Sequence, residues 1–315
     1  MADTELNKGN PKVAILLSVY NGQAFLEEQL NSLLQQTYSE FVIVVRDDCS
    51  KDKSLEIIRS YAQKSPSRFH VLAQDDRNLG ASGGFAFLME YVLQHKLEIG
   101  LESAYMMFCD QDDIWQSNKL ELQMKAMKET ESSLGGGATP ILVHSDLQVV
   151  AADASEIAPS FVAYQGLEIH RNRFPNLVIS NLVTGCTACL NESLARKSLP
   201  IPANAVMHDW WLAIVVSAFG KLVYLDKALL KYRQHDNNTI GATKYEPKHI
   251  GFWRRVITRK PNPHLIEVGI QAQEFKKQFG KELSRRNNLA LFLSAHMRIP
   301  IGIIQRIFYR LARRF

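Results

Sequence analysis

From Val13 to Cys109 the chain alternates apolar, β-rich runs with stretches of helical spacing, and few architectures accommodate that pattern. Val13–Val19, Phe41–Val45, Phe69–Ala73 and Ala104–Cys109 are runs with little polar interruption, as expected of strands buried on both faces. Between the first two, Phe25–Gln36 puts Phe25, Leu26, Leu30, Leu33 and Leu34 on one helical face, with Glu27 and Glu28 in the first turn. Leu55–Gln63, which Ser50 or Asp52 can cap, and Phe85–His95 are the next helices. Strand–helix alternation of this kind predicts an α/β fold, a mostly parallel central sheet flanked by helices with right-handed crossovers. Ligands of such open sheets bind beyond the carboxyl ends of the strands.

Each run ends in a polar break on that rim: Tyr20-Asn21-Gly22, Asp47-Asp48, the loop Asp75–Gly84, and Asp110-Gln111-Asp112-Asp113. The last sets three carboxylates within four positions directly after an apolar strand. They repel one another unless a cation sits among them, and a hard divalent metal that also holds phosphate oxygens is the simplest candidate. A solvated acidic turn capping the next helix is the alternative. Four polar breaks on one rim favour the ligand site.

Lys119–Glu131 reads as a further helix, and Gly135-Gly136-Gly137 as a link to a second half. There Ile141–Asp146 is a strand, Leu177–Cys189 a strand–turn region around Gly185, and Met207-His208-Asp209-Trp210-Trp211 the opening of a helix to about Phe219. Lys221–Leu225 and Ala228–Tyr232 are short strands.

The net charge of +5 belongs to the tail. From Leu283 to Phe315 there are seven arginines and no acid, leaving 30 basic against 32 acidic groups in the other 282 residues. The body therefore has no general nucleic-acid-binding surface. On a helix after Pro300, Ile304, Ile307, Phe308, Leu311 and Phe315 form a stripe apart from Arg306, Arg310, Arg313 and Arg314. That composition suits an interfacial helix on anionic lipid; a helix packed on the body or against a second copy is the alternative. Met1–Lys12 is polar, and no stretch reaches the length of a bilayer span, so a cytoplasmic protein is expected. Cys49, Cys109, Cys186 and Cys189 make no secreted-type disulfide framework; Cys186-Thr-Ala-Cys189 is read as two small residues packed beside a turn.

The marks Val19-Tyr20-Asn21, Asp47-Asp48-Cys49-Ser50, Asn78-Leu79-Gly80, Asp110-Gln111-Asp112 and His208-Asp209-Trp210-Trp211, in this order, resemble the inverting family 2 glycosyltransferases of the GT-A fold. Asp110–Trp115, Val143–Asp146, Asn181–Cys186 and Tyr232–Asn238 resemble the bacterial rhamnosyltransferase branch, which builds O-antigen and related polysaccharides. One departure is Cys49, where the family's turn carries glycine; a positive φ there would strain cysteine. The resemblance implies a GT-A domain over 1–245, with a nucleotide-binding half at 11–132 and an acceptor half at 138–245, then a helical basic extension over 246–315. Its partners would be a nucleotide-diphosphate sugar (dTDP-L-rhamnose or a UDP-sugar) and a glycan or lipid-linked glycan acceptor. No nucleic acid is implied. Peripheral membrane contact through 299–315 and an oligomer are both compatible with it.

The resemblance also distributes roles. Asp112 becomes the ligand of a divalent metal (Mg2+ or Mn2+), with His235 completing its shell or binding the diphosphate, and Asp110 near the ribose or metal. Asp48 takes the imide N–H of the base, assisted by Asp47. Val19, Tyr20, Asn21, Asn78, Gly80 and Gln111 line the donor pocket, and Arg233 pairs with phosphate. Asp209 is the general base, with His208 as the alternative; without the resemblance, Asp209 also reads as a helix cap beside two core tryptophans. Trp210 and Trp211 offer flat faces to sugar, and His144, Asp146, Asn181, Thr184 and Gly185 shape the sugar and acceptor site. The readings left beside it are a UDP-hexose-dependent member of the same family, a sugar nucleotidyltransferase and a non-catalytic glycan-binding module.

Overall fold

A computed structural model describes residues 10–74, 76–235, 241–244 and 260–315. Asp75, Asp236–Asn238 of the last motif and residues 246–259 of the extension lie outside the described residues.

The first four strands are parallel, as their apolar runs predict. β1 (Val13–Val19) pairs with β2 (Phe41–Asp47) and β4 (Tyr105–Cys109), and β2 pairs with β3 (Phe69–Val71). Side chains alternate across this layer. Ala14, Leu16, Val42, Val44, Met106 and Phe108 enter one core; Val13, Ile15, Leu17, Ile43, Val45 and Met107 enter the other. Burial on both faces is why these runs carry no polar alternation.

The sheet continues through β8 (Cys189–Leu190), β6 (Ile141–Val150), β9 (Lys221–Arg233) and β5 (Ile114–Trp115), with β7 (Glu156–Ala158) on β6. β8 is antiparallel to both β4 and β6, so it joins the sheet's two parallel parts, β3-β2-β1-β4 and β6-β9. The two short strands expected at 221–232 are one strand. Its pairing with β6 jumps from Leu225 to Ala228, and the unpaired Asp226-Lys227 explains the apparent break.

Helices α1 (Leu26–Leu34), α2 (Ser54–Lys64), α3 (Gly80–His95) and α4 (Lys119–Ser133) cover the first half. α3 starts five residues before the expected Phe85: Gly80, at φ +65°, opens it, and Gly83 and Gly84 are helical rather than loop. α5 (Phe161–Gln165), α6 (Phe174–Leu177), α7 (Glu192–Ser198) and α8 (His208–Phe219) follow. The extension forms α9 (Pro263–Phe279), α10 (Arg285–Ala295) and α11 (Gly302–Ala312). These are not a separate body: Val268, Ala272, Phe275, Phe279, Leu291 and Met297 share one core with Trp210, Trp211 and β1.

Candidate active site

The polar breaks close into one rim. Gln111 donates to Tyr20 O at 3.1 Å and accepts Tyr20 N at 2.8 Å, locking the β4 loop to the β1 loop. Gly22 lies against this amide, and a Cβ there would come within 2.6 Å of Gln111 Oε1. Asn21, at φ +50°, donates its N–H to Ser50 Oγ and accepts Lys51 N on Oδ1, tying β1 to the β2 loop. Asp52 accepts Ser54 N and Gln23 N, so it holds the start of α2 as well as the first loop. Tyr20 itself is 48% exposed at this rim.

Asp48 was expected to meet the base, and its carboxylate is engaged within the protein. Its buried carboxylate accepts Leu79 N and Gly80 N at 2.8–2.9 Å and pairs with the buried Arg46 guanidinium at 3.2 Å. Both oxygens are occupied inside the protein, so Asp48 fixes the Asn78–Gly80 loop and the α3 N-terminus. Asn78 serves the same loop, donating to Asp48 O and accepting Gly80 N. Asp47 is the aspartate with an unpartnered oxygen: Oδ2 accepts Ser50 N and Gln74 Nε2, while Oδ1 is buried with no hydrogen-bond partner among the described residues. Val19 is a fully buried core residue that reaches the rim only through its carbonyl, which accepts Asp48 N.

At the end of β4, Asp112 Oδ2 lies 2.9 Å from His235 Nε2, and Phe25 stacks on the imidazole at 4.8 Å between centroids. Asp110, Asp113 and Cys186 gather their ligand atoms within 4.8 Å of one another. Burial raises Asp110 and Asp113, and the neighbouring carboxylates raise them further. Burial also raises the Cys186 thiol well above its usual range, so it stays protonated. The competent donors are therefore carboxylate oxygens and one imidazole, a set that suits Mg2+ or Mn2+ rather than a thiolate-seeking ion. Asp113 accepts Arg233 N on Oδ1 and leaves Oδ2 buried without a partner among the described residues.

Arg233 is not available to phosphate. Its buried guanidinium donates to Asp112 O and Ala152 O, pairs with Glu28 and sits over Phe25. It splints the strand end that carries His235.

Asp209 lies in the first turn of α8. Oδ2 accepts Gly185 N at 2.9 Å, and Oδ1 accepts Asn181 Nδ2 at 3.3 Å. Burial pushes its carboxyl up to about 6 against these bonds, and its charge in turn raises Asp110, so the two carboxylates share one electrostatic neighbourhood. The N-cap position is Met207, and Asp209 stands in the first turn, where Oδ1 also accepts Trp210 N. Thr184 flanks Gly185 and accepts Thr187 N and Oγ1 through its carbonyl. A Cβ on Gly185 would approach His208 Nε2 at 3.0 Å, so glycine lets this turn close on α8. His208 itself packs against Phe85 and Phe108, and burial lowers it to about 3.

Four expected sugar contacts belong to the interior instead. Trp210 and Trp211 are buried, with indole N–H groups donating to Leu177 O and Ser198 O. His144 is buried beside Tyr224, and burial lowers it to about 4. Asp146 accepts Ser160 Oγ, Phe161 N and Val162 N, anchoring α5. An acidic or aromatic letter near a strand end does not reveal which way its side chain points. Arg46, Glu28, Phe25 and Cys186 were missed for the same reason: each matters through a partner distant in sequence.

A sheet whose parallel half gathers tethered acidic loops at its carboxyl edge, with a further carboxylate brought in by α8, defines a nucleotide-diphospho-sugar transferase of the GT-A type. The family model for glycosyl transferase family 2 matches residues 14–194, and the chain belongs to that family. Relatives include the dTDP-rhamnosyl transferase RfbG of Shigella flexneri, 26% identical over 88% of this chain and 92% of its own. The Escherichia coli UDP-Glc:alpha-D-GlcNAc-diphosphoundecaprenol beta-1,3-glucosyltransferase WfgD is 26% identical over 74% of this chain and 81% of its own. Among solved structures, S. aureus TarS in complex with UDP aligns with a TM-score of 0.54 at 15% identity, over 91% of this chain and 70% of that one. The mannosyltransferase PcManGT of Pyrobaculum calidifontis, in complex with GDP-Man and Mn2+, aligns at 0.52 and 16% identity, over 97% and 81%.

Proposed function

We infer that this glycosyltransferase moves L-rhamnose from dTDP-L-rhamnose, with inversion, onto a hydroxyl of a lipid-linked glycan in the synthesis of a cell-surface polysaccharide such as O-antigen. The observation that carries the reading is Asp209, a carboxylate lifted toward neutrality by burial, oriented by Asn181 and Gly185, and close enough to Asp110 to raise it. Likeness to RfbG supports the donor.

Asp209 takes the proton of the acceptor hydroxyl as its oxygen bonds the anomeric carbon, and the bond from that carbon to the diphosphate breaks. The nucleoside diphosphate leaves with the electron pair, and no covalent intermediate forms on the enzyme. Asp112 and His235 would hold Mg2+ or Mn2+, which as a Lewis acid neutralises charge on the departing diphosphate. Asp47 Oδ1 accepts the imide N–H that thymine and uracil share, and Tyr20 stacks on the base. An acceptor of this kind sets a cytoplasmic enzyme at the inner membrane face.

A UDP-hexose donor is the second reading, favoured by the likeness to WfgD. A donor panel scored by release of nucleoside diphosphate, with and without Mn2+, separates the two. Release from dTDP-rhamnose well above that from any UDP-sugar is expected; the reverse order would transfer the assignment to UDP-hexose.

A further inference from the structure

We propose that the outward face of α11 lies on an anionic lipid bilayer. The helix docks on the body through Gly302, Gln305 and Ala312, which are buried; Gln305 accepts Asn262 N and donates to Met297 O. Its opposite face carries Ile303, Ile307 and Leu311, one helical turn apart, at 57%, 52% and 38% exposure. Arg310 and Arg314 are exposed on the same side. The stripe expected from the sequence is thus split: Phe308 packs inward against His296, and Ile307 and Leu311 face out.

Exposed apolar surface is concentrated here. Of ten large exposed hydrophobic residues among those described, six fall between Leu289 and Leu311. The same stretch belongs to a segment with seven arginines and no acid. Charge selects the occupant. A second copy seated face to face would bring Arg310 and Arg314 against their equivalents, whereas lipid phosphates neutralise them and the acyl boundary takes up the isoleucines. Among the described residues no helix is long and apolar enough to cross a membrane, so this contact is one of lying on the surface.

Flotation of the full chain with vesicles tests this without turnover, so its failure would leave the transferase reading intact. Phosphatidylglycerol-containing vesicles should carry the protein to the top of the gradient and pure phosphatidylcholine vesicles should not. The triple variant Ile303→Glu, Ile307→Glu, Leu311→Glu and the double variant Arg310→Glu, Arg314→Glu should each bind roughly tenfold or more weakly. Binding should also fall as salt rises. All five positions are exposed, and thermal melts matching the parent verify the fold; should one variant misfold, the other decides. No flotation with phosphatidylglycerol, or undiminished flotation of the variants, overturns the proposal. So does a dimer that the triple variant converts to monomer, because the face would then belong to a second copy.

Discussion

Asp209 can act as a base only when ionised, and its carboxyl sits at about 6 because burial outweighs the hydrogen bonds from Trp210, Gly185 and Asn181. A group raised in this way favours the folded state below its ordinary range and gives up that contribution as pH climbs through 6. Activity moves oppositely: kcat should fall on the acid side of about pH 6, as read by a pH–rate profile. Asp209→Asn should lose roughly 10²- to 10⁴-fold in kcat, while titration calorimetry finds nucleoside diphosphate binding unchanged. Asp47→Asn should do the opposite, weakening nucleotide binding with thermal stability kept. Cys49 raises a separate question. Its φ is +70°, the left-handed conformation that the family's glycine adopts freely. Cys49→Gly should therefore raise unfolding stability by about 1 kcal/mol in urea titration, and no gain would mean that the turn absorbs the strain elsewhere.

The start of α3 is set by Asp48, since two of its first backbone N–H groups end on that carboxylate. Asp48→Ala would remove one buried carboxylate from Arg46 and the acceptor of Leu79 N and Gly80 N, a loss of about 2–4 kcal/mol. Chemical denaturation should show that loss, and a stability within 1 kcal/mol of the parent would refute the assignment. This element also marks where the sequence stops being legible. Strands β1, β2 and β4 were readable because burial on two faces leaves an unbroken apolar run, and their rim was readable because polar loops interrupt it. The α3 boundary was not, because a glycine-rich stretch that signals a loop starts a helix fixed by an aspartate more than thirty residues earlier. For the same reason Asp47 and Asp48, adjacent in sequence, differ in their surroundings: Asp48 completes an internal ion pair, and Asp47 keeps a buried oxygen with no partner among the described residues. Asp112 meets His235, and Asn181 and Gly185 hold Asp209. Arg233, Trp210, Trp211, His144 and Asp146 are engaged in the interior.

At the scale of the whole molecule, the basic extension is part of the core rather than an appendage to a domain ending at 245. Trp211 packs edge-on to Phe275 at 5.2 Å and beside Phe279 at 6.1 Å, and Trp211 sits two residues from Asp209. Gly269 lets α9 run close under the 296–298 turn; a Cβ there would meet Arg298 N at 2.3 Å. Val268, Phe275, Phe279, Leu291 and Met297 are each fully or nearly fully buried in the shared cluster. Burying five side chains of this size contributes on the order of 10 kcal/mol, comparable to the whole stability of a typical domain. Removing residues 246–315 should therefore abolish the cooperative unfolding transition, not merely weaken membrane contact. Circular dichroism melts of the truncated chain should be broad, with tryptophan emission shifted to the red as Trp210 and Trp211 meet water. A truncated chain that melts sharply with buried tryptophans would show that the first 245 residues are self-sufficient, and α9 to α11 would then be a module carried for docking alone.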